Sequence, residues 1–179
     1  MRWRSMTKLV LVAIFFAVTF FMLADVIGYR SAWLGLLLMF YFMGLAKFAE
    51  PLFVLRMPGA LRAVARDLPD SPCYRRLGVR VFGRLLRDTP LRYLNNTVYR
   101  AAGRRSLAAL QRQAESAEAT HFWAAVLFTP YIVYVAARGF VLEAAVFVLV
   151  QIAFNVYPVL HLRGVRARLA GLVRRGAGN

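Results

Sequence analysis

The chain has a single cysteine, Cys73, among its 179 residues. No intramolecular disulfide is open to it, and no cysteine-based metal cluster can form. Nothing around Cys73 suggests an activated thiol, so it reads as an incidental loop residue. Acidic residues are also scarce: eight Asp and Glu stand against 24 Lys and Arg, for a net charge of +16. Histidine occurs only twice. A di-metal carboxylate site needs two Glu-x-x-His pairs and further carboxylates. This sequence has one such pair, Glu118 and His121, and its other acids are scattered, so no metal is expected. Walker loops, Gly-x-Ser-x-Gly elbows and dinucleotide fingerprints are missing. So is the His-x-x-x-x-Asp arrangement of many phospholipid acyltransferases, because Val126 and Arg166 stand five places after the two histidines.

What is abundant is apolar. Hydrophobic residues make up 60% of the chain, and its mean hydropathy is +0.55. That is too apolar for an ordinary soluble domain. In a soluble protein this positive charge would suggest nucleic acid. Beside long apolar runs it points instead to anionic lipid head groups or an anionic substrate, and no nucleic-acid partner is expected.

Four apolar runs are candidate spans: Leu9 to about Tyr29, Ala32 to about Phe48, Phe122 to Ala137, and Phe140 to Leu162. A full span takes about 20 mainly apolar residues, so the second and third are short. Pro130 predicts a kink in the third. The first run follows Arg2, Arg4 and Lys8, as a signal peptide would, but no small-x-small cleavage site follows it. It reads as an uncleaved membrane helix. The connections at 28–31 and 138–139 are tight, so each pair of runs forms an antiparallel hairpin. Those two turns hold only Arg30 and Arg138, whereas the N-terminus, the central segment and the tail hold the other basic residues. The positive-inside rule then puts both termini and the central segment in the cytoplasm.

The central segment is punctuated by Pro51, Pro58, Pro69 and Pro72. Tyr74 to Arg87 follows as a basic amphipathic helix. Arg76, Arg80, Arg84 and Arg87 line one side, and Tyr74, Leu77, Val81, Phe82, Leu85 and Leu86 fill most of the other. Such a helix lies in the membrane interface. A further helix is expected from about Arg104 to Thr120, continuing into the third span.

Glu118 and His121 share a helix face at the cytoplasmic entrance of that span. A carboxylate beside an imidazole orients the ring and raises its basicity, which suits removal of a proton from an attacking hydroxyl. Asn155 lies near the same end of the fourth span. An amide in an apolar helix needs a partner. It serves either as a helix–helix hydrogen bond or as a donor to a developing oxyanion. His161 reads as an interfacial or structural residue. The arginines together could hold the phosphates of an anionic co-substrate such as coenzyme A.

Several short motifs occur in order: Tyr74-Arg-Arg-Leu-Gly-Val-Arg80, Leu94-Asn95-Asn-Thr-Val-Tyr99, Glu118-Ala-Thr-His121 with Phe122 and Trp123, Asn155-Val-Tyr-Pro158, and Arg163-x-x-Arg166-x-Arg168-Leu169. This pattern resembles the glycosyl-4,4'-diaponeurosporenoate acyltransferase family, small bacterial membrane enzymes of carotenoid glycolipid biosynthesis. The first hairpin carries no matching motif. The resemblance implies transfer of a fatty acyl group to a sugar hydroxyl on a membrane-anchored glycoside.

The expected fold is an all-α integral membrane protein of about four transmembrane helices. Residues 1–50 and 121–162 form two hairpins, 51–120 a basic helical layer on the cytoplasmic face, and 163–179 a basic tail. The whole is expected to be a single multi-pass domain in a bacterial cytoplasmic membrane. The expected reaction is O-acyl transfer from an acyl thioester, with acyl-CoA as co-substrate and no resident cofactor. His121 would be the general base and Glu118 its orienting partner. Asn155, joined by Asn95, would stabilise the oxyanion. Arg163, Arg166 and Arg168 would hold the donor's phosphates, and Tyr99 and Tyr157 complete the expected substrate-binding set. The acyl chain would lie between the third and fourth spans. Expected partners are the lipid bilayer, the acyl donor and a glycolipid or isoprenoid acceptor, and the chain is compatible with an oligomer. The competing reading is a non-enzymatic lipid- or pigment-binding scaffold, which would have no need of Glu118, His121 and Asn155 at one depth.

Overall fold

The computed structural model describes residues 2–49, 52, 55–65, 67–89 and 107–176. Regular structure among them is helical throughout. The longer helices are α1 (Arg2–Ile27), α2 (Trp33–Ala49), α5 (Val79–Asp88), α6 (Leu107–Ala137), α7 (Val141–Gln151) and α8 (Tyr157–Gly176), and α3 (Gly59–Arg62) and α4 (Pro72–Arg76) are single turns. Three stretches are long and apolar enough to cross a membrane: Trp3–Ile27, Leu107–Ala137 and Val141–Val173. The second run, Trp33–Ala49, is a shorter apolar helix of 17 residues. About four spans were expected, the second and third of them short; the second is short, whereas the third belongs to a helix of full length.

The chain divides into two compact units, residues 1–55 with 120–155 and residues 56–119 with 156–179. The first unit contains the first hairpin and the second as far as Asn155. α1 ends at Gly28, whose φ of 86° permits the left-handed turn into α2. α6 ends at Gly139, φ 84°. There the Phe140 amide donates to the Val135 carbonyl and the Gly139 amide to Ala136. This is a Schellman-type stop that reverses the chain within two residues. Met39, Phe128, Ile132, Val135, Ala144 and Phe147 form the core of this unit. Gly35 lets α2 and α6 approach, because a Cβ there would stand 2.0 Å from the Tyr131 ring. Tyr131 in turn donates to the Ala32 carbonyl at 2.9 Å. On α1, large apolar side chains such as Leu11, Ile14, Phe15 and Met22 are exposed. Water would penalise that surface, and lipid does not.

In the second unit, Ser71 caps α4 by accepting from the Tyr74 amide, with Pro72 at the first helical position. The amphipathic pattern predicts one helix over Tyr74–Arg87. Instead Gly78, at φ 65°, separates α4 from α5. The two short helices therefore change direction at a residue that only glycine suits. α5 packs on α8 through Gly83, whose missing side chain leaves room for His161, and through Phe82, whose ring lies 5.2 Å from Tyr157. Val81 and Leu85 remain exposed on α5, as an interface-lying helix requires. α6 is one helix through Pro130. Asn95 and Tyr99 lie outside the described residues.

Candidate active site

In the first unit, a polar chain crosses an otherwise apolar interior. Gln151 Nε2 donates to the Ala125 carbonyl at 2.9 Å and reaches Thr129 Oγ1 at 3.1 Å. Asn155 Nδ2 donates to Gln151 Oε1 at 2.7 Å and to Met39 Sδ at 3.3 Å. The direction of this chain has a cause. A backbone carbonyl only accepts, so Gln151 must turn its nitrogen to Ala125 and its oxygen to Asn155. Asn155 must then answer with its nitrogen. Its own oxygen is left facing the other way, buried and without a hydrogen-bond partner among the described residues.

His121 is what that oxygen meets. The imidazole interacts with the Asn155 side chain and with the backbone of Phe154. Its Nδ1 is buried and, like Asn155 Oδ1, has no hydrogen-bond partner among the described residues. The backbone there departs from the α-helix. Ile152–Val156 is a π-helical turn between α7 and α8, a departure often found at functional sites. Pro158 has no N–H to offer the Phe154 carbonyl four residues earlier. Phe154 and Asn155 thus place one backbone and one side-chain acceptor against a single histidine.

Glu118 belongs to the second unit, and its carboxylate is engaged there. It is 0% exposed and accepts from Arg166 Nη1 at 2.5 Å, with Arg163 Nε at 3.8 Å. Arg166, 4% exposed, also donates to the Arg62 carbonyl at 2.7 Å. Arg163 donates to the Leu61 carbonyl at 2.5 Å. Arg62 pairs with Glu115 at 2.7 Å. Glu118 was expected to orient His121, and Arg163 and Arg166 to hold phosphates. The geometry joins these three to one another instead, as a buried clasp between α6, α8 and the end of α3. A buried carboxylate needs such partners.

Arg168, two residues beyond Arg166, is exposed and faces a different environment. With Arg80, Arg84 and Arg87 of α5 it lines a cavity of about 470 Å³ in the second unit. Tyr74 lines it too; burial pushes its phenol above the ordinary value, so it remains a protonated donor. Tyr157 donates to the Leu77 carbonyl at 2.9 Å, so it braces the turn before α5. A separate apolar groove of about 370 Å³ lies in the first unit between α2 and α6, lined by Leu38, Met39, Phe42, Leu127 and Phe128 among others.

The glycosyl-4,4'-diaponeurosporenoate acyltransferase family matches residues 64–175. The chain belongs to this family. The match begins after the first hairpin and takes in α4, α5, the Glu118 clasp, His121 with Asn155, and the basic cavity. Acyl transfer in carotenoid glycolipid biosynthesis is the reaction class that this acyltransferase family carries. No curated protein and no solved structure matches the chain.

Gln151 and Thr129 are the site residues that the sequence did not single out, and the α5 arginines were read there as the basic side of an interfacial helix. Gln151 had a signal: it stands one helical turn before Asn155, the i, i+4 spacing at which two amides meet.

Proposed function

We propose that the protein transfers a fatty acyl group from an acyl thioester, acyl-CoA, to a sugar hydroxyl of a membrane glycolipid or glycosylated carotenoid. His121 is the general base. The observation that carries this reading is the buried His121 imidazole set against the Asn155 side chain at the end of a polarised amide chain. The Asn155 oxygen favours a proton on the ring nitrogen that faces it. In this scheme the Phe154 carbonyl shares that N–H, and the other nitrogen keeps its lone pair for the acceptor hydroxyl. That nitrogen takes the hydroxyl proton as the oxygen attacks the thioester carbonyl. The tetrahedral adduct collapses, the C–S bond breaks, and the thiolate recovers the proton from the imidazolium.

Asn155 acts as the positioning residue in this scheme, since both of its donors are already engaged. Glu118 serves by holding Arg163 and Arg166 in place. The alkyl chain occupies the apolar groove between α2 and α6, rather than the space between the third and fourth runs. Both termini and the basic second unit face the cytoplasm, where acyl-CoA is available.

The test is direct. Purified protein in nanodiscs is given labelled acyl-CoA and a total lipid extract of the host. A labelled lipid made by wild type and lost in His121→Ala supports the reading. Full transfer by His121→Ala protein removes the general-base assignment. No transfer by folded wild type, with any chain length, leaves a lipid- or pigment-binding scaffold as the better description.

A further inference from the structure

The cavity between α5 and α8 has more positive charge than its surroundings balance. Arg80, Arg84, Arg87 and Arg168 all line it. Asp70 pairs with Arg80, which also reaches the Pro69 carbonyl. Among the described residues, Arg84, Arg87 and Arg168 have no ion-pair or hydrogen-bond partner. Guanidinium groups converging on one concavity repel one another, and a concave wall of one sign concentrates counter-ions.

The floor is built rather than incidental. Gly83 and Gly164 are both buried in it. A Cβ on Gly83 would stand 2.8 Å from the His161 ring, so a larger residue would push His161 out of place. The buried Tyr74 forms part of the wall. The cavity therefore combines an arginine rim with enough volume for a phosphorylated group. Three of the arginines sit at positions 80, 84 and 87, one face of one helix, which presents their planar forks together. Arginine forks of this kind match phosphate oxygens two at a time.

We infer that the cavity lined by Arg80, Arg84, Arg87, Arg168 and Tyr74 binds a phosphate ester. Two sources share that chemistry. One is the nucleotide portion of a soluble acyl donor, and this form of the inference rests on the acyl-transfer reading above. The other is the phosphate of an anionic lipid head group, which does not depend on it. Either source transfers the phosphate-holding role from Arg163 and Arg166, which the Glu118 clasp occupies, to arginines outside that clasp.

The experiment measures binding, so it needs no turnover. Full-length protein is placed in phosphatidylcholine nanodiscs and titrated with unacylated coenzyme A by calorimetry. In parallel, detergent-solubilised protein is mixed with vesicles of pure phosphatidylcholine or of phosphatidylcholine with phosphatidylglycerol, and co-sedimentation is read. The test variant is R84Q/R168Q. The control is R75Q/R76Q, which removes the same charge from exposed positions that do not line the cavity. Folding of each is checked by circular dichroism and thermal unfolding, and should R84Q/R168Q fail to fold, the single variants R84Q and R168Q replace it.

The expected result is coenzyme A binding that weakens at least tenfold in R84Q/R168Q, weakens far less in the control, and falls with added salt. Loss of phosphatidylglycerol-dependent binding in R84Q/R168Q alone, with no coenzyme A binding by any protein, also supports the site and assigns it to a head group. Equal losses in the test and control variants, or no loss in either assay, would overturn it. His121→Ala protein is expected to bind coenzyme A as wild type does. Binding without transfer would sink the proposed reaction and leave this site standing; transfer that ignores R84Q/R168Q would do the reverse.

Discussion

Asn155 Nδ2 donates to Gln151 Oε1 at 2.7 Å, one helical turn apart at the entry to a π-helical turn. The pair sets which atom of Asn155 faces His121. Replacing Asn155 with Asp is isosteric but puts an oxygen against the Gln151 oxygen. It also buries a carboxylate that only His121 can answer, and on one oxygen alone. Asn155→Asp should therefore destabilise the protein by about 3–5 kcal/mol, a buried charge left half-compensated. Asn155→Ala, which leaves orphaned neighbours but no charge, should cost about 1–3 kcal/mol. Thermal unfolding in detergent compares them, and an Asp variant as stable as the Ala variant would count against the assigned direction of the amide chain.

The Glu118 clasp makes a prediction of another kind. Removing either partner of a buried pair strands the other, at about 3–5 kcal/mol. Glu118→Leu alone and Arg166→Leu alone should each lower the unfolding temperature strongly. The double variant should recover much of the loss, since neither charge is then stranded. A double variant that simply adds the two losses would show that Glu118 and Arg166 act independently.

How much of this was legible in the sequence follows from the range of each interaction. The hairpins were legible because long apolar runs and two-to-four-residue turns leave little choice. The α4–α5 break at Gly78 was not. The apolar pattern runs through it, and a left-handed φ of 65° leaves no mark on periodicity. His121 and Asn155 stood out as polar residues in apolar surroundings, and the structure does bring them together. Glu118 was matched with its nearest neighbour along the helix, three residues away. Its actual partner, Arg166, is 48 residues distant, a separation that spacing arguments cannot reach. Arg166 and Arg168 look equivalent in sequence, yet two residues on a helix turn to nearly opposite sides. One is buried against a carboxylate and the other opens on the basic cavity.

Gly35 offers a packing test independent of function. A Cβ there would overlap the Tyr131 ring at 2.0 Å, and Tyr131 is tethered to the Ala32 carbonyl. Gly35→Ala should cost about 1–3 kcal/mol through overpacking. Adding Tyr131→Leu should relieve part of that cost, because the obstructing ring is gone. The same alanine placed at Gly59, where nothing lies within 4 Å, should be close to neutral. Unfolding curves of the four proteins decide it. A harmless Gly35→Ala would mean that α2 and α6 do not approach as closely as described.

The roles of His121 and Asn155 separate kinetically. Loss of a general base lowers turnover by about 10²–10⁴-fold, so His121→Ala should fall in that range with the donor KM little changed. Asn155→Ala should fall less, since the ring remains but loses the acceptor that holds its proton in place. The double variant carries the argument. A residue that acts only through the imidazole has nothing to act on once the imidazole is gone, so His121→Ala with Asn155→Ala should be no slower than His121→Ala alone. An oxyanion donor would behave differently, because it stabilises the transition state with or without the base. A further drop of tenfold or more in the double variant would return Asn155 to the oxyanion role that the sequence first suggested. Such a drop would also require its amide nitrogen to leave Gln151 during the reaction.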